Sequence, residues 1–93
     1  MLVRVTEEHI RKGHPRSSYS CAVALAISEL FPGSYVDVTQ WRVAVYPRGL
    51  SPDLALYYTP RRFDLSQDAV RFVQAFDRGD KVEPLSFALG DAY

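Results

Sequence analysis

The stretch GHPRSSYSCAVALAI, residues 13 to 27, decides the fold, because a polar loop leads directly into the most apolar helix of the chain. The predicted helix runs from about Ser20 to Phe31 and ends before a Pro-Gly pair. Apolar residues cover nearly its whole circumference, and Ala22 and Ala26 form a smooth surface that permits close approach of another element. This helix is therefore predicted to be the centre of the hydrophobic core.

Two elements are predicted before this helix. Residues 2 to 6 alternate in polarity, as a half-buried strand does. Thr6 is the expected N-cap of a short helix, since Glu7 and Glu8 would follow in the first turn, where the helix dipole favours negative charge. Gly13 is expected to end that helix by closing its last turn.

Three strands are predicted after the central helix. Residues 35 to 39 and 41 to 46 alternate with period two and contain β-branched and aromatic side chains. The connection between them lacks the glycine or asparagine that favours a tight hairpin, so the turn itself does not predict their pairing. A further strand is predicted at about residues 55 to 59, after the turn-forming loop 47 to 53, and Pro60 is expected to end it.

The remaining sequence predicts an amphipathic helix and a last strand. Ser66 is the expected N-cap of a helix over residues 67 to 77, Gly79 is expected to end it, and residues 85 to 89 form the strand. The apolar faces should meet in one cluster that contains Val23, Ile27, Phe72, Phe76 and Phe87. The order β-α-α-β-β-β-α-β predicts a single compact α+β domain over residues 1 to 93. It consists of a small, mainly antiparallel sheet of about four to five strands with about three helices packed on it.

Composition and charge limit the classes of function. With 47% apolar residues the chain is typical of globular proteins, and eleven basic residues balance eleven acidic ones. This balance provides no global field to attract nucleic acid or an anionic membrane. Charge is uneven along the chain, since residues 40 to 63 carry four arginines and one acid, whereas residues 64 to 93 carry six acids and three basic residues. This distribution is compatible with a molecule that has a basic side and an acidic side.

Cys21 is the only cysteine, which favours a cytoplasmic protein because a single thiol cannot form an intramolecular disulfide. The longest apolar run, residues 21 to 27, is far too short to span a bilayer. The N-terminus lacks the apolar segment and cleavage pattern of a signal peptide. We therefore expect a cytoplasmic location and no membrane partner.

Two stretches, CAVALAI at residues 21 to 27 and FDRGDKVEPLSFAL at residues 76 to 89, resemble a group of small bacteriophage and prophage proteins of unassigned function. The similarity in layout extends back to VTEEHIRKG, residues 5 to 13. Related sequences have proline after the cysteine, where Ala22 stands here, so the resemblance does not support Cys21 as a helix N-cap. The resemblance implies a phage origin, a small standalone domain and the cytosol of the host cell, and it implies no catalytic residue.

The loop at residues 13 to 20 is a candidate anion site, because a helix N-terminus offers unpaired N–H groups and positive potential. The candidate donors are His14, Arg16, Ser17, Ser18, Tyr19 and Ser20. Arg4, or Arg61 with Arg62, would complete a phosphate clamp if the fold brings them near. In the alternative, one serine caps the helix and the rest is surface loop. The alternative is favoured, since the loop lacks the glycine spacing of a phosphate-binding loop.

Catalysis by Cys21 is a further possibility, with His9 or His14 as its base, because a helix N-terminus stabilises a thiolate. The residues after Cys21 are uniformly apolar, which favours a buried structural thiol instead. Two histidines without a second soft ligand make a poor metal site. We expect no cofactor, no metal and no catalytic residue.

Aromatic and basic residues suggest two kinds of macromolecular binding. YYTPRRF, residues 57 to 63, could stack bases and hold phosphates, although zero net charge makes nucleic acid the weaker hypothesis. The candidates for a protein interface are Trp41, Tyr46, Tyr57 and Tyr58. Tyrosine, tryptophan and arginine are enriched at the hot spots of protein interfaces.

The sequence therefore predicts a non-enzymatic binding module, phage-encoded, that binds a host protein and in this way antagonises host defence. The first alternative is a small anionic, nucleotide-like ligand at the loop of residues 13 to 20. The second is single-stranded nucleic acid at residues 57 to 63. Catalysis stays open but is disfavoured, and the oligomeric state is not predicted, with a homo-oligomer permitted.

Overall fold

The computed structural model describes residues 1–49 and 58–90 and confirms the predicted α+β class. The elements in these ranges are β1 (Leu2–Val5), α1 (Glu7–Lys12), α2 (Ala22–Leu30), β2 (Val36–Val38), β3 (Arg42–Val45), β4 (Arg61–Asp64), α3 (Gln67–Asp77) and β5 (Leu85–Ala88). Within these ranges, no helix combines the length and the apolar character that a membrane crossing requires.

The strands are antiparallel, as predicted, but they divide between two sheets. One sheet pairs β1 with β5, with Val3 opposite Phe87. The other has the order β2-β3-β4, and Val43 on the central strand lies opposite Phe63 on β4. The end of β5 comes close to the end of β4, since a Cβ on Gly90 would lie 3.5 Å from the Asp64 carbonyl oxygen. Only backbone proximity, and not a hydrogen-bonded ladder, connects the described strands of the two sheets at this point.

β4 lies later in the chain than the sequence pattern predicts. Residues 55 to 57 of the predicted strand lie outside the described residues, and Tyr58 and Thr59 are not in a strand. The strand begins at Arg61, directly after Pro60, which was expected to end one. Proline fits immediately before a strand because it has no N–H to contribute to the ladder.

A hairpin joins β2 to β3 through Gln40 and Trp41, although the sequence lacks the usual turn residues. The Thr39 N–H donates to the Arg42 carbonyl at 2.8 Å, and the Arg42 N–H donates to the Thr39 hydroxyl at 3.1 Å. The threonine side chain thus closes the turn in place of glycine or asparagine chemistry.

The predicted core cluster is confirmed. Val23, Ile27, Phe72, Phe76 and Phe87 belong to one set of buried side chains that both sheets and all three helices enclose. Ile27, on α2, is fully buried, and the rings of Phe72 and Phe76 stack with centroids 6.1 Å apart. Five residues of α2 belong to this buried set, so α2 lies at the centre of the core, as its sequence predicts.

The helix ends agree with the sequence except at the start of α2, around Cys21. Thr6 caps α1, Ser66 caps α3 through the Ala69 N–H at 3.2 Å, and Gly79 follows α3 with a φ of 81°. Gly13 ends α1 and closes its last turn, as predicted, because its N–H donates to the His9 carbonyl at 2.8 Å, and its φ of −71° is not left-handed. The reason for glycine is close approach, because a Cβ there would meet the backbone at the start of α2.

Candidate functional site

The start of α2 is capped by Cys21 and not by a serine. Its thiol accepts the Ala24 N–H at 3.4 Å, and its backbone is extended immediately before the first helical residue. The expectation of a serine cap is wrong, because the serines hold the loop itself: the Ser17 hydroxyl accepts the Ser20 N–H and lies 2.7 Å from the Ser20 hydroxyl.

The backbone of the loop at residues 13 to 20 is bonded largely within the chain. The His14 N–H donates to the Ser20 carbonyl at 2.9 Å, and the Ser18 carbonyl accepts the Val38 N–H at 2.7 Å. The Arg16 N–H donates to a carboxylate oxygen of Asp77 at 2.8 Å. A carboxylate thus lies at the loop and opposes a bound anion. The anion site stays a prediction that this arrangement does not favour.

Arg61 and Arg62 do not converge on that loop. They are consecutive residues of β4, so their side chains lie on opposite faces of the sheet. The Arg61 guanidinium lies 5.8 Å from the ring centroid of Phe31 and 5.3 Å from that of Phe63. Arg62 lies opposite Ala44 on the outer face. These two arginines therefore cannot form one phosphate clamp.

The only thiol is placed for structure and not for nucleophilic chemistry. Cys21 is 3% exposed, and burial raises the pKa of its thiol. The Nδ1 of His9 accepts the Thr6 N–H at 3.0 Å, so its Nε2 carries the hydrogen and donates to Glu29 at 2.5 Å. Histidine therefore takes the place of the glutamate or glutamine of a capping box. Among the residues with described positions, no cluster suits a metal ion.

Three tyrosines form a continuous row of ring contacts at one end of the three-stranded sheet. The centroids of Tyr19 and Tyr35 are 4.7 Å apart, and those of Tyr35 and Tyr46 are 5.4 Å apart. Tyr35 and Tyr46 are cross-strand neighbours, since the Tyr46 N–H donates to the Tyr35 carbonyl at 2.9 Å. Tyr19 comes from the loop before α2 and is 53% exposed. We call Tyr19, Tyr35 and Tyr46 the tyrosine row.

The hydroxyl of Tyr35 stays protonated at any physiological pH. Burial raises its pKa, and the hydrogen bond to Tyr19 and the charge of Asp37 raise it further. A protonated phenol keeps its O–H donor. The hydrogen bond to Tyr19 uses this donor within the row and helps to hold the two rings together.

The predicted interface residues take different positions relative to the row. Tyr46 belongs to it, Tyr58 is 53% exposed just before β4, and Tyr57 lies outside the described residues. Trp41 is 58% exposed at the tip of the β2–β3 hairpin. It lies about 17 Å along β3 from Tyr46, because an antiparallel strand rises about 3.4 Å per residue.

Sequence reasoning did not assign Tyr35 or Tyr19 to this surface. The position of Tyr35 could have been found from the sequence, because a two-residue turn at Gln40 and Trp41 sets a register in which residue 35 faces residue 46. No sequence pattern indicates the position of Tyr19, since its contact with Tyr35 depends on where the loop packs against β2.

A small cleft borders the tyrosine row. Its volume is about 170 Å³, and its walls include Phe31, Ser34, Tyr46 and Arg61. The cleft joins the end of α2 to the end of the three-stranded sheet. Apolar rings and one guanidinium therefore meet in a concave surface beside exposed aromatic side chains.

No protein-family model, curated protein or solved structure matches this chain. The interpretation of its function therefore depends on the geometry described above. Two surfaces compete, the loop before α2 and the tyrosine row with its cleft. The second has one exposed and two half-buried aromatic rings in contact with one another, while the backbone donors of the first are bonded largely within the chain.

Proposed function

We propose that this protein is a non-enzymatic binding module that acts by binding another protein through the tyrosine row. The observation that carries the proposal is the pair of ring contacts that joins Tyr19 to Tyr35 and Tyr35 to Tyr46. Tyrosine offers a large contact area with only two rotatable side-chain bonds. Because the rings already hold one another, little side-chain freedom is lost when a partner binds.

The dimensions of the sheet suit an interface of ordinary size. A standard protein interface covers about 800 Å² on each partner, which corresponds to a patch roughly 30 Å across. A patch centred on the three-stranded sheet would reach from the tyrosine row to Trp41, because these lie about 17 Å apart along β3. Trp41 and Tyr58 are thus candidates for the rim, and the tyrosine row is the candidate hot spot.

The biological setting of the proposal comes from the resemblance to small phage and prophage proteins. Viral genomes carry many short proteins that act stoichiometrically on a host component. A binder of this size, located in the host cytoplasm, would antagonise a host defence protein by covering one of its surfaces. We propose this setting together with the binding surface.

Affinity capture with matched variants tests the proposal. Tagged protein is incubated with lysate of the host bacterium, and captured proteins are identified by mass spectrometry. The test variant is Tyr19→Ala with Tyr46→Ala. The control is Leu2→Ala, which removes a side chain that is also 53% exposed but lies on β1 in the other sheet. We expect one host protein to be retained by the wild type and by the control, and lost from the test variant.

The stability of the test variant needs its own measurement, because Tyr46 is half-buried. Tyr19→Ala alone is the lighter change, since Tyr19 is largely exposed, and it should weaken retention without a large change in melting temperature. Retention that is equal in the wild type and in both tyrosine variants would contradict the proposal. So would native mass spectrometry that finds a nucleotide bound and no protein partner.

A further inference from the structure

Two arginines, Arg48 and Arg61, lie beside the tyrosine row. Arg48 lies against Gly33, where an added Cβ would come within 3.0 Å of its Cγ and Nε. Arg61 stacks on the ring of Phe31. Arg61 lines the cleft, and the Arg48 side chain lies next to it, because Gly33 stands between the lining residues Phe31 and Ser34. Within residues 1–49 and 58–90, neither arginine forms an ion pair.

The charges elsewhere on the same sheet are balanced. Arg42, near the hairpin tip, lies 3.8 Å from Asp64. Asp37 and Arg62 occupy one cross-strand row on either side of Ala44. In the part of the sheet that the structure describes, the excess positive charge is therefore located at the end that carries the tyrosine row.

We propose that the partner presents an acidic segment, whose carboxylates bind Arg48 and Arg61 while its apolar side chains pack on Tyr46. This inference rests on the proposed function and adds the chemistry of the partner. Guanidinium groups bind carboxylates through two parallel hydrogen bonds, which gives both affinity and orientation. Complementary charge also accelerates encounter between the partners.

Nucleic acid is the other anionic partner, and the geometry favours it less. The Tyr35 ring already contacts the rings of Tyr19 and Tyr46, and all three are tilted against one another, which leaves less open ring surface for successive stacked bases. Binding of single strands normally uses a basic groove that follows several phosphates, and two arginines do not form one.

Selection from a displayed library of random dodecapeptides tests the inference. Dissociation constants of selected peptides are measured by fluorescence anisotropy for the wild type and for Arg48→Glu with Arg61→Glu. The control is Arg11→Glu, because Arg11 is also exposed but lies on α1. We expect the selected peptides to be enriched in aspartate and glutamate. Their dissociation constants should rise roughly tenfold or more in the double variant, rise with added salt, and stay unchanged in the control.

A second variant distinguishes loss of binding from loss of folding, which is needed because Arg61 packs on two aromatic rings. Arg48→Gln with Arg61→Gln removes the charge without adding acidic groups, and thermal unfolding is recorded for every variant. We expect the neutral variant to melt close to the wild type and still to bind selected peptides several-fold more weakly.

The remaining outcomes separate this inference from the proposed function. If the selected peptides are not enriched in acidic residues, and if they no longer bind to Tyr19→Ala with Tyr46→Ala, the proposal of an acidic segment is overturned. The proposed binding surface would then still stand. Failure to select any peptide above the starting library would also count against an acidic linear segment. Peptides that none of these substitutions weakens would overturn both proposals. Oligothymidylate that binds more tightly than every selected peptide, and is lost in the double arginine variant, would replace the protein segment by nucleic acid.

Discussion

Substitution of Gly13 by alanine tests the packing at the point where α1 leads into the loop before α2. Its φ of −71° is open to any residue, so conformational freedom does not explain the glycine. A Cβ would lie 2.6 Å from the Ala22 nitrogen and 2.8 Å from the His9 carbonyl oxygen. Both are backbone atoms and cannot turn aside as a side chain can. The start of α2 would have to move by about 0.8 Å to restore ordinary contact, in an interior packed as densely as a crystal.

We expect Gly13→Ala to lower the free energy of unfolding by about 3 kcal/mol, the upper end of the usual range for overpacking. A domain of 93 residues has a total of about 5 to 14 kcal/mol. With an m-value near 1.5 kcal/mol/M, the midpoint of urea unfolding should fall by about 2 M. Gly79→Ala is the control, because a Cβ there has no atom within 4 Å and only the φ of 81° opposes it. That control should lose about 1 kcal/mol. An equal or smaller loss for Gly13→Ala would refute the close-approach explanation.

Three further predictions concern single side chains, and a fourth concerns the core. His9→Ala should lower the free energy of unfolding, measured with urea, by about 1 to 2 kcal/mol, because the Thr6 N–H and Glu29 both lose a hydrogen-bond partner. His9→Gln should recover part of this loss, because glutamine again offers an acceptor to the Thr6 N–H. Cys21 should react only slowly with a thiol reagent at neutral pH, whereas fast labelling would indicate a stabilised thiolate. Burial raises the pKa of the Cys21 thiol above its usual 9.0, so the thiol ionises at a lower pH in the unfolded chain than in the folded one. The stability that the buried thiol contributes is therefore complete below about pH 9 and is lost as the pH rises further. In urea unfolding, Cys21→Ala should remove this part of the pH dependence. Arg16→Gly should be more stable than Arg16→Ala by a few tenths to about 1 kcal/mol, since a φ of 63° strains alanine and arginine but not glycine; a more stable alanine variant would contradict this reasoning. Ile27→Ala should lower the free energy of unfolding by roughly 2 to 5 kcal/mol, and a loss under 1 kcal/mol would contradict its central position.

The helices could be predicted from the sequence because the signals that form them are local. Thr6 and Ser66 accept N–H groups three residues later, and the apolar face of α3 repeats within a single turn. The start of α2 was misplaced for a physical reason. A thiol is a weak acceptor, so the sequence favours a neighbouring serine, while the hydrogen bonds of Ser17 and Ser20 to each other keep both out of the cap position.

The arrangement of the strands could not be predicted to the same extent, because it depends on contacts distant in sequence. β4 has one buried residue, Phe63, which is too few for a period-two pattern. Its identity as a strand comes from the ladder with β3, in which Phe63 faces Val43. The division into two sheets has the same origin, since β1 and β5 are at opposite ends of the chain and pair only in the folded molecule. The candidate surface could not be predicted for the same reason, because its tyrosines come from the loop before α2, from the start of β2 and from the end of β3, which are brought together only by the fold.

The loop that first suggested an anion site instead positions the proposed binding surface. The carbonyl of Ser18 accepts the N–H of Val38, which fixes the loop against the edge of β2. Tyr19 is the next residue, and Tyr35 directly precedes the same strand, so this backbone bond helps to hold the two rings in contact. The bond from the Arg16 N–H to Asp77 ties the other side of the loop to α3. The loop that carries this exposed ring is thus held by two hydrogen bonds of its backbone, so binding of a partner to Tyr19 costs less conformational entropy. Under the proposed function, the polar residues before α2 act indirectly, through the position of Tyr19. Their substitution should then weaken the binding of a protein partner that they do not contact.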